Sequence, residues 1–397
     1  MTDAPLAPYK VLDLADARGI LAGHLFAQLG ADVIAIEPPG GSTARAAPPF
    51  AGAVSLFWAA YAAGKRSVML DLETEQDRNK CVELAMSADF LIDSAPPGRM
   101  QALGLDGETL RLKNPRLITI SITGFGENGP KAEYQDSDLT LWAAAGLLWP
   151  HRGQDGVPLR ISVPQIFHHA AADAVAGALI ALQARHATGA GQHVSVSAQQ
   201  SGMLAALSHY MAPAIGHENY NTSGGGQAKA MQAAGLGLGG GAKWQVKDGL
   251  VEMNLGIGPI SGHFANAFFA WARETQGFGP DFSQWNWVEL PKRLEAGELT
   301  VEDLKIARAG VAGLLSGLSK MELLAAAESH DLKLAPVMTT ADLLQFDQLA
   351  ARGYFVTSGA HILPHAMGTS CGARKTLRPA PRLGEHHDEI FGAEHLA

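Results

Sequence analysis

One carboxylate in this chain stands where its type and setting favour chemistry. Gly124-Phe-Gly-Glu-Asn-Gly-Pro130 leads to Gln135-Asp-Ser-Asp138, and then to Leu139-Thr-Leu-Trp-Ala-Ala-Ala-Gly146, whose composition and spacing predict a helix. Asp138 therefore falls at a helix start, where the dipole and the first free N–H groups favour an anion. The usual explanation of such an acid is a cap or a first-turn charge stabilised by the helix dipole, and Asp136 or Ser137 could serve equally well. Position by itself does not establish catalysis.

The other motifs meet physical objections. Gly235-Leu-Gly-Leu-Gly-Gly240 has the letters of a dinucleotide loop, but a strand follows it where a helix is required, so a close-packed or flexible loop is expected. Gly368-Thr-Ser-Cys-Gly372 has the letters of a nucleophile elbow, yet Pro364 precedes it where a central strand is needed. His361 and His365 have the spacing of two zinc ligands on a helix, and Pro364 opposes that helix. His168-His169 and His386-His387 are neighbours that point apart on a helix. No metal is expected. Gly64-Lys-Arg-Ser67 ends like a phosphate loop but has Ala59 at its first glycine position, which leaves a basic turn or a simple phosphate clamp.

The elements that must hold these residues alternate. Lys10–Leu14, Asp32–Ile36, Ser67–Asp71, Asp89–Ile92 and Leu117–Ile122 read as buried strands, and Leu21–Leu29, Glu75–Met86 and the stretch around Gly107–Lys113 read as helices between them. That alternation predicts a parallel sheet covered on both faces, with Pro38-Pro39-Gly40-Gly41, Pro96-Pro97-Gly98 and Gly126–Pro130 as loops at strand carboxyl ends, where ligands gather. Ala-rich helices follow over Leu139–Leu148 and Gln165–Ala187. Beyond the Gly-rich region, Trp244-Gln-Val and Gly249–Met253 predict a hairpin, followed by helices near His263–Thr275, Val301–Leu318 and Lys320–His330. The expected division is residues 1–222 with 331–397 as a large domain and 223–330 as a small one.

At 397 residues, 47% hydrophobic and 17% charged, the chain is globular. With 39 acidic residues against 30 basic, and no basic run, it lacks the electrostatic footprint of a nucleic-acid binder. Two cysteines, Cys81 and Cys371, suit a reducing cytoplasm. The start of the chain does not read as a signal peptide, and no uninterrupted apolar run approaches the roughly 18 residues of a spanning helix, so no membrane association is expected.

In order along nearly the whole chain, the blocks Val11-Leu-Asp-Leu14, Leu29-Gly-Ala-Asp-Val-Ile34, Ile36-Glu-Pro-Pro-Gly-Gly41, Gly64-Lys-Arg-Ser67, Ala88-Asp-Phe-Leu-Ile92, Asn114-Pro-Arg-Leu117, Thr123-Gly-Phe-Gly126, Gly191-Gln-His-Val194, Lys247-Asp-Gly249 and Ala380-Pro-Arg-Leu-Gly-Glu-His386 resemble the class III coenzyme A transferases. The resemblance implies an α/β fold: a Rossmann-like large domain built from both termini, a smaller α+β domain, and two subunits interlinked as a dimer, either of like chains or with a paralogue. It also implies that CoA moves from an acyl-CoA to a carboxylic acid, with CoA as substrate and no tightly bound cofactor.

The family nucleophile is an aspartate about eight residues before a glycine, and Asp138 with Gly146 has that spacing while Asp136 does not. The resemblance further implies CoA contacts at Arg18, Lys65, Arg66, Ser94 and Gly98, and a mobile active-site loop at Gly224, Gly225 and Gly226 or at Gly239, Gly240 and Gly241. Departures from the family pattern occur at Arg18-Gly19, Ile20-Leu21, Ser94-Ala95, Gln165 and Ser195. Two other readings stand beside the transferase. One is an acyl-CoA racemase, for which Ser137 and Gln165 replace the expected histidine and acid. The other is a CoA-binding subunit that supports a catalytic paralogue.

Overall fold

The computed structural model describes residues 4–148, 157–161, 163–205, 207–211, 243–364 and 377–392. The chain forms two compact units, Met1–Tyr220 with Ala351–Ala397, and Asn221–Ala350.

In the first unit, β1 (Lys10–Asp13), β2 (Asp32–Glu37), β3 (Arg66–Met69), β4 (Phe90–Asp93), β5 (Ile118–Thr123) and β6 (His193–Ser197) form one parallel sheet in the order β3-β2-β1-β4-β5-β6. Leu12 lies opposite Ile34 on one side and Leu91 on the other, so β1 is the central strand of an apolar ladder. The helices are α1 (Ile20–Gln28), α2 (Glu75–Met86), α3 (Arg99–Leu103), α4 (Gly107–Arg111), α5 (Asp138–Ala144) and α6 (Ile166–Thr188). Sequence chemistry sets their starts: the side chain of Thr74 accepts the Asp77 N–H ahead of α2, and Asp106 accepts those of Glu108 and Thr109 ahead of α4.

Alternation along the strands feeds two cores. Val11, Phe90, Ile118 and Ile120 pack with α1 and α6, while Leu12, Ile34, Val68 and Leu91 pack with Cys81 and Ala85 of α2 and Leu110 of α4. By length and mean hydropathy, 1.2, the 23-residue α6 could cross a membrane. Here it lies on the sheet, with Ile166, Ala170, Ala174, Ala178 and Ala181 buried at helical spacing, and small alanines permit the close approach.

The second unit has an antiparallel sheet of β7 (Lys243–Val246), β8 (Gly249–Met253) and β9 (Leu334–Val337) in the order β9-β8-β7, with helices α7 (Gly258–Gln276), α8 (Val301–Ser316) and α9 (Lys320–His330). Trp244, Val251, Phe268, Phe269, Trp287 and Leu304 share its core. The unit runs to Ala350 rather than to residue 330, because Leu334–Val337 pairs with β8, where Val251 lies opposite Pro336. In the first unit, His361 lies in β11 (His361–Pro364), which pairs with β10 (Phe355–Ser358), so the helix needed for a His361 zinc pair is replaced by a strand. His365 and Gly368–Gly372 lie outside the described residues.

A buried ion pair locks the centre of the first unit. Lys65, 1% exposed, donates to Asp13 Oδ2 at 2.6 Å and to the Ile20 carbonyl at 2.8 Å, joining β1, α1 and the approach to β3. Lys65→Met should destabilise the protein by about 3–5 kcal/mol in denaturant unfolding, since it strands a buried carboxylate. Adding Asp13→Asn should recover part of that loss.

Candidate active site

The strand order reverses direction between β1 and β4, and the carboxyl ends of those two strands open onto a crevice of about 280 Å³ lined by Leu14, Glu37, Leu70, Asp71, Asp93 and Arg99. In an open parallel sheet this is the topological position at which ligands bind. Gly98, with φ +84° at the start of α3, a left-handed conformation that favours glycine, lines a second cavity of about 330 Å³ rather than this crevice.

The expected CoA contacts occupy different settings. The Lys65 ammonium is enclosed by Asp13 and Ile20, so its charge holds the frame together and is not presented at a surface. Arg66 pairs with Asp32 at 2.5 Å and with Glu389 at 3.0 Å. Ser94 is buried, and its hydroxyl accepts the Asp16 N–H and donates to Asp16 Oδ1. Arg18 clamps three loops: it pairs with Asp16, pairs with Asp136 at 3.1 Å and donates to the Ser94 carbonyl at 2.6 Å. Burial opposes the Arg18 charge, but Asp16 and Asp136 outweigh it and hold the guanidinium above its ordinary pKa. Gly224–Gly226 and Gly239–Gly241 lie outside the described residues.

Asp138 is the first residue of α5. Ser137 caps that helix, exchanging hydrogen bonds with Thr140 in a capping box, which leaves the Asp138 side chain available for a different partner. That partner is the start of α6: Asp138 Oδ1 accepts the N–H of Gln165 at 2.7 Å and of Ile166 at 2.9 Å. The carboxylate thus sits at the N-terminal end of a 23-residue helix, where two free backbone N–H groups point at it. Its Oδ2 is enclosed and has no hydrogen-bond partner among the described residues. Burial lowers the pKa of nearby His168, a trend that Asp138 opposes and His169 reinforces. Asp136 is held by Arg18, and Gly124 lies so close that an added Cβ would come within 2.6 Å of Asp136 Oδ2. The two acids of Gln135-Asp-Ser-Asp138 therefore have separate tasks.

Sequence reasoning missed a polar group on the sheet face opposite α6. His193 Nε2 meets Glu127 Oε2 at 2.7 Å and Nδ1 meets Thr119 Oγ1 at 2.9 Å, while Arg111 donates to the same Thr119 oxygen at 3.1 Å. Asp93 closes the row, accepting the Ala95 N–H at 3.1 Å. Burial would raise Glu127, but hydrogen bonds from His193, Ser195 and Ser121 hold it below the usual range. Burial pushes Asp93 up to about 6; Glu127 adds to the rise, and the Ala95 N–H, His193 and Ser121 moderate it. The signal was present in Ile118-Thr-Ile-Ser-Ile-Thr123, whose alternation gives β5 one polar face although every residue in it is buried.

Because the folded-state pKa of Asp93 lies above the ordinary 3.8, the folded protein holds its proton more tightly, and this group's contribution to stability falls as pH rises from about 4 to about 6. Asp93→Asn keeps the acceptor oxygen and removes the buried charge. It should raise unfolding stability at pH 7 by about 2–3 kcal/mol and flatten that part of the stability profile. Unchanged stability at pH 7 would remove the charge from this account.

The family model described as CoA-transferase family III matches residues 6–387. The chain is 32% identical to the succinyl-CoA:(R)-benzylsuccinate CoA-transferase subunit BbsE of Thauera aromatica, over 96% of this chain and 92% of that one. It is 27% identical to a formyl-CoA:oxalate CoA-transferase of Streptomyces coelicolor, over 99% and 96%. The crystal structure of a CAIB/BAIF family protein from Brucella suis superposes with a TM-score of 0.77 at 24% identity, covering 98% of this chain and 99% of that one, a likeness of fold.

Proposed function

Since this chain belongs to CoA-transferase family III, we propose that it moves CoA from an acyl-CoA donor to a carboxylic acid, with the thioester entering the crevice at the carboxyl ends of β1 and β4. The observation that carries this reading is the coincidence of that crevice with the switch point of the parallel sheet, in a chain whose family match runs over residues 6–387.

Asp138 is the proposed covalent carboxylate. Its Oδ1 is fixed by two N–H groups, so Oδ2 is the atom left to attack, and substrate entry must uncover it. Attack on the thioester carbonyl forms a mixed anhydride and expels CoA thiolate. The thiolate then attacks the aspartyl carbonyl, releasing the first carboxylate and leaving an aspartyl-CoA thioester. The incoming acid attacks that thioester, forming a second anhydride and expelling CoA thiolate again. Attack of the thiolate on the new acyl group frees Asp138 and yields the product thioester. No water is consumed, so the site must exclude it. The backbone N–H groups at the start of α6 would stabilise negative charge as it develops on the aspartyl oxygen.

The same contacts favour a second reading. With Oδ1 saturated by Gln165 and Ile166 and Oδ2 enclosed, Asp138 ties α5 to α6 as a structural acid, and the chain is then a CoA-binding subunit beside a catalytic partner. The relative from Thauera aromatica is itself named as a subunit. Racemisation has less support, because Ser137, in the place of the required histidine, is committed to capping α5.

Asp138→Asn separates the first two readings. The amide oxygen still accepts both N–H groups, so the melting temperature should hold. Transfer should fall by about a thousandfold or more, and the covalent CoA mass on the Asp138 peptide should disappear. Full transfer by this variant would assign Asp138 to structure alone. Light scattering should show a dimer or larger assembly, and a folded monomer at working concentration would count against the interlinked arrangement.

A further inference from the structure

In a parallel sheet covered on both faces, strands are apolar on both sides. β5 departs from that rule: Ile118, Ile120 and Ile122 enter the core with α6, while Thr119 and Ser121, 2% and 5% exposed, face the other way. What they face is a cavity of about 330 Å³, bounded by the loop after β4, by α3 and α4, and by β6. That volume lies in the range of small-molecule sites.

The charges around this cavity are incompletely matched. Asp93, 6% exposed, makes no ion pair among the described residues; its neighbours are the Ala95 N–H, the Ser121 hydroxyl, Glu127 and, through its charge alone, His193. Glu127 has His193 as its partner, and that imidazole is shared with Thr119. Arg111 also lines the cavity, and among the described residues it makes no ion pair, only the hydrogen bond to Thr119. Asp93, Glu127 and Arg111 thus face one half-open space without joining each other; of the other two acids lining it, Asp106 is committed to capping α4 and Glu108 is exposed, and Asp93 is the fully buried charge, where lack of an ion partner is costly. Close backbone approach keeps the arrangement open: a Cβ on Gly107 would come within 2.3 Å of Thr119 Oγ1 and 2.7 Å of Arg111 Nη1.

We infer that this cavity binds a small zwitterion of the amino-acid class, its ammonium group held by Asp93 and Glu127 and its carboxylate by Arg111. Such a ligand supplies both missing partners at once, whereas a simple anion would meet the two acids and a simple amine would meet Arg111. Asp93 also borders the crevice, so occupancy of the cavity alters the charge felt there. The inference is independent of the transferase reading, because the ligand is bound by the free protein with no acyl-CoA present.

Isothermal titration of the full chain at pH 7.5 with β-alanine, γ-aminobutyrate and 5-aminovalerate, zwitterions of increasing charge separation, tests it against butyrate and butylammonium. At least one zwitterion should bind about tenfold or more tighter than both singly charged compounds. Arg111→Gln and Glu127→Gln, each checked for folding by circular dichroism, should weaken that binding by about tenfold or more. Binding of none of the zwitterions at millimolar concentration, equal binding of the singly charged compounds, or unaltered binding by either folded variant would each overturn the assignment. The comparison among ligands on the unaltered protein decides the matter even where a variant fails to fold.

Discussion

The ammonium of Lys65, closed between Asp13 Oδ2 and the Ile20 carbonyl, is the contact on which the first unit depends. It joins the carboxyl end of the central strand to the start of α1 and to the segment entering β3. Gly23 makes room for it, since a Cβ there would approach Asp13 Oδ2 to 2.1 Å. With β1 held in this way, the loop that follows it is fixed in place, and that loop carries Asp16 and Arg18. Arg18 then reaches across to Ser94 after β4 and to Asp136 before α5. One buried charge pair and one guanidinium therefore define three loops at the carboxyl ends of the sheet.

Asp138 stands at the far end of this chain of contacts. The Arg18 clamp fixes Asp136 two residues earlier, Ser137 turns the chain into α5, and the Asp138 side chain is thereby free to meet the N-terminus of α6. A carboxylate in that position is electrostatically favoured whatever its task. The fixed geometry that would make it an effective nucleophile is the same that would make it a good structural tie. Chemistry is decided by whether Oδ2 meets the thioester.

Much of this architecture was legible in the residues. Glu75–Met86 and Lys320–His330 are helices over the residues read from their spacing, and the first five strands fall within two residues of their apolar runs. β6 was not read as a strand because His193-Val-Ser-Val-Ser197 offers only two apolar residues, and its pairing with β5 is what makes it one. Leu334–Val337 was assigned to the wrong side of the domain boundary because local pattern carries no information about its distant partner in β8. The basic residue Lys65 looked available for phosphate; its burial against Asp13 depends on a contact 52 residues away in sequence. Likewise, Asp93, Arg111, Glu127 and His193 share a cavity only after three strands and two helices are in place.

On the proposed reading, this chain exchanges CoA between a thioester and a carboxylic acid. The most direct measurement incubates the purified chain, with no second protein, with a panel of acyl-CoA donors and carboxylic acid acceptors, and follows the masses of the CoA thioesters. The expected result is protein-dependent appearance of a new acyl-CoA matched by loss of the donor, without net release of free CoA. Absence of any new thioester across the panel, while donor acyl-CoA binds the protein, would contradict it and leave this chain as a binding subunit.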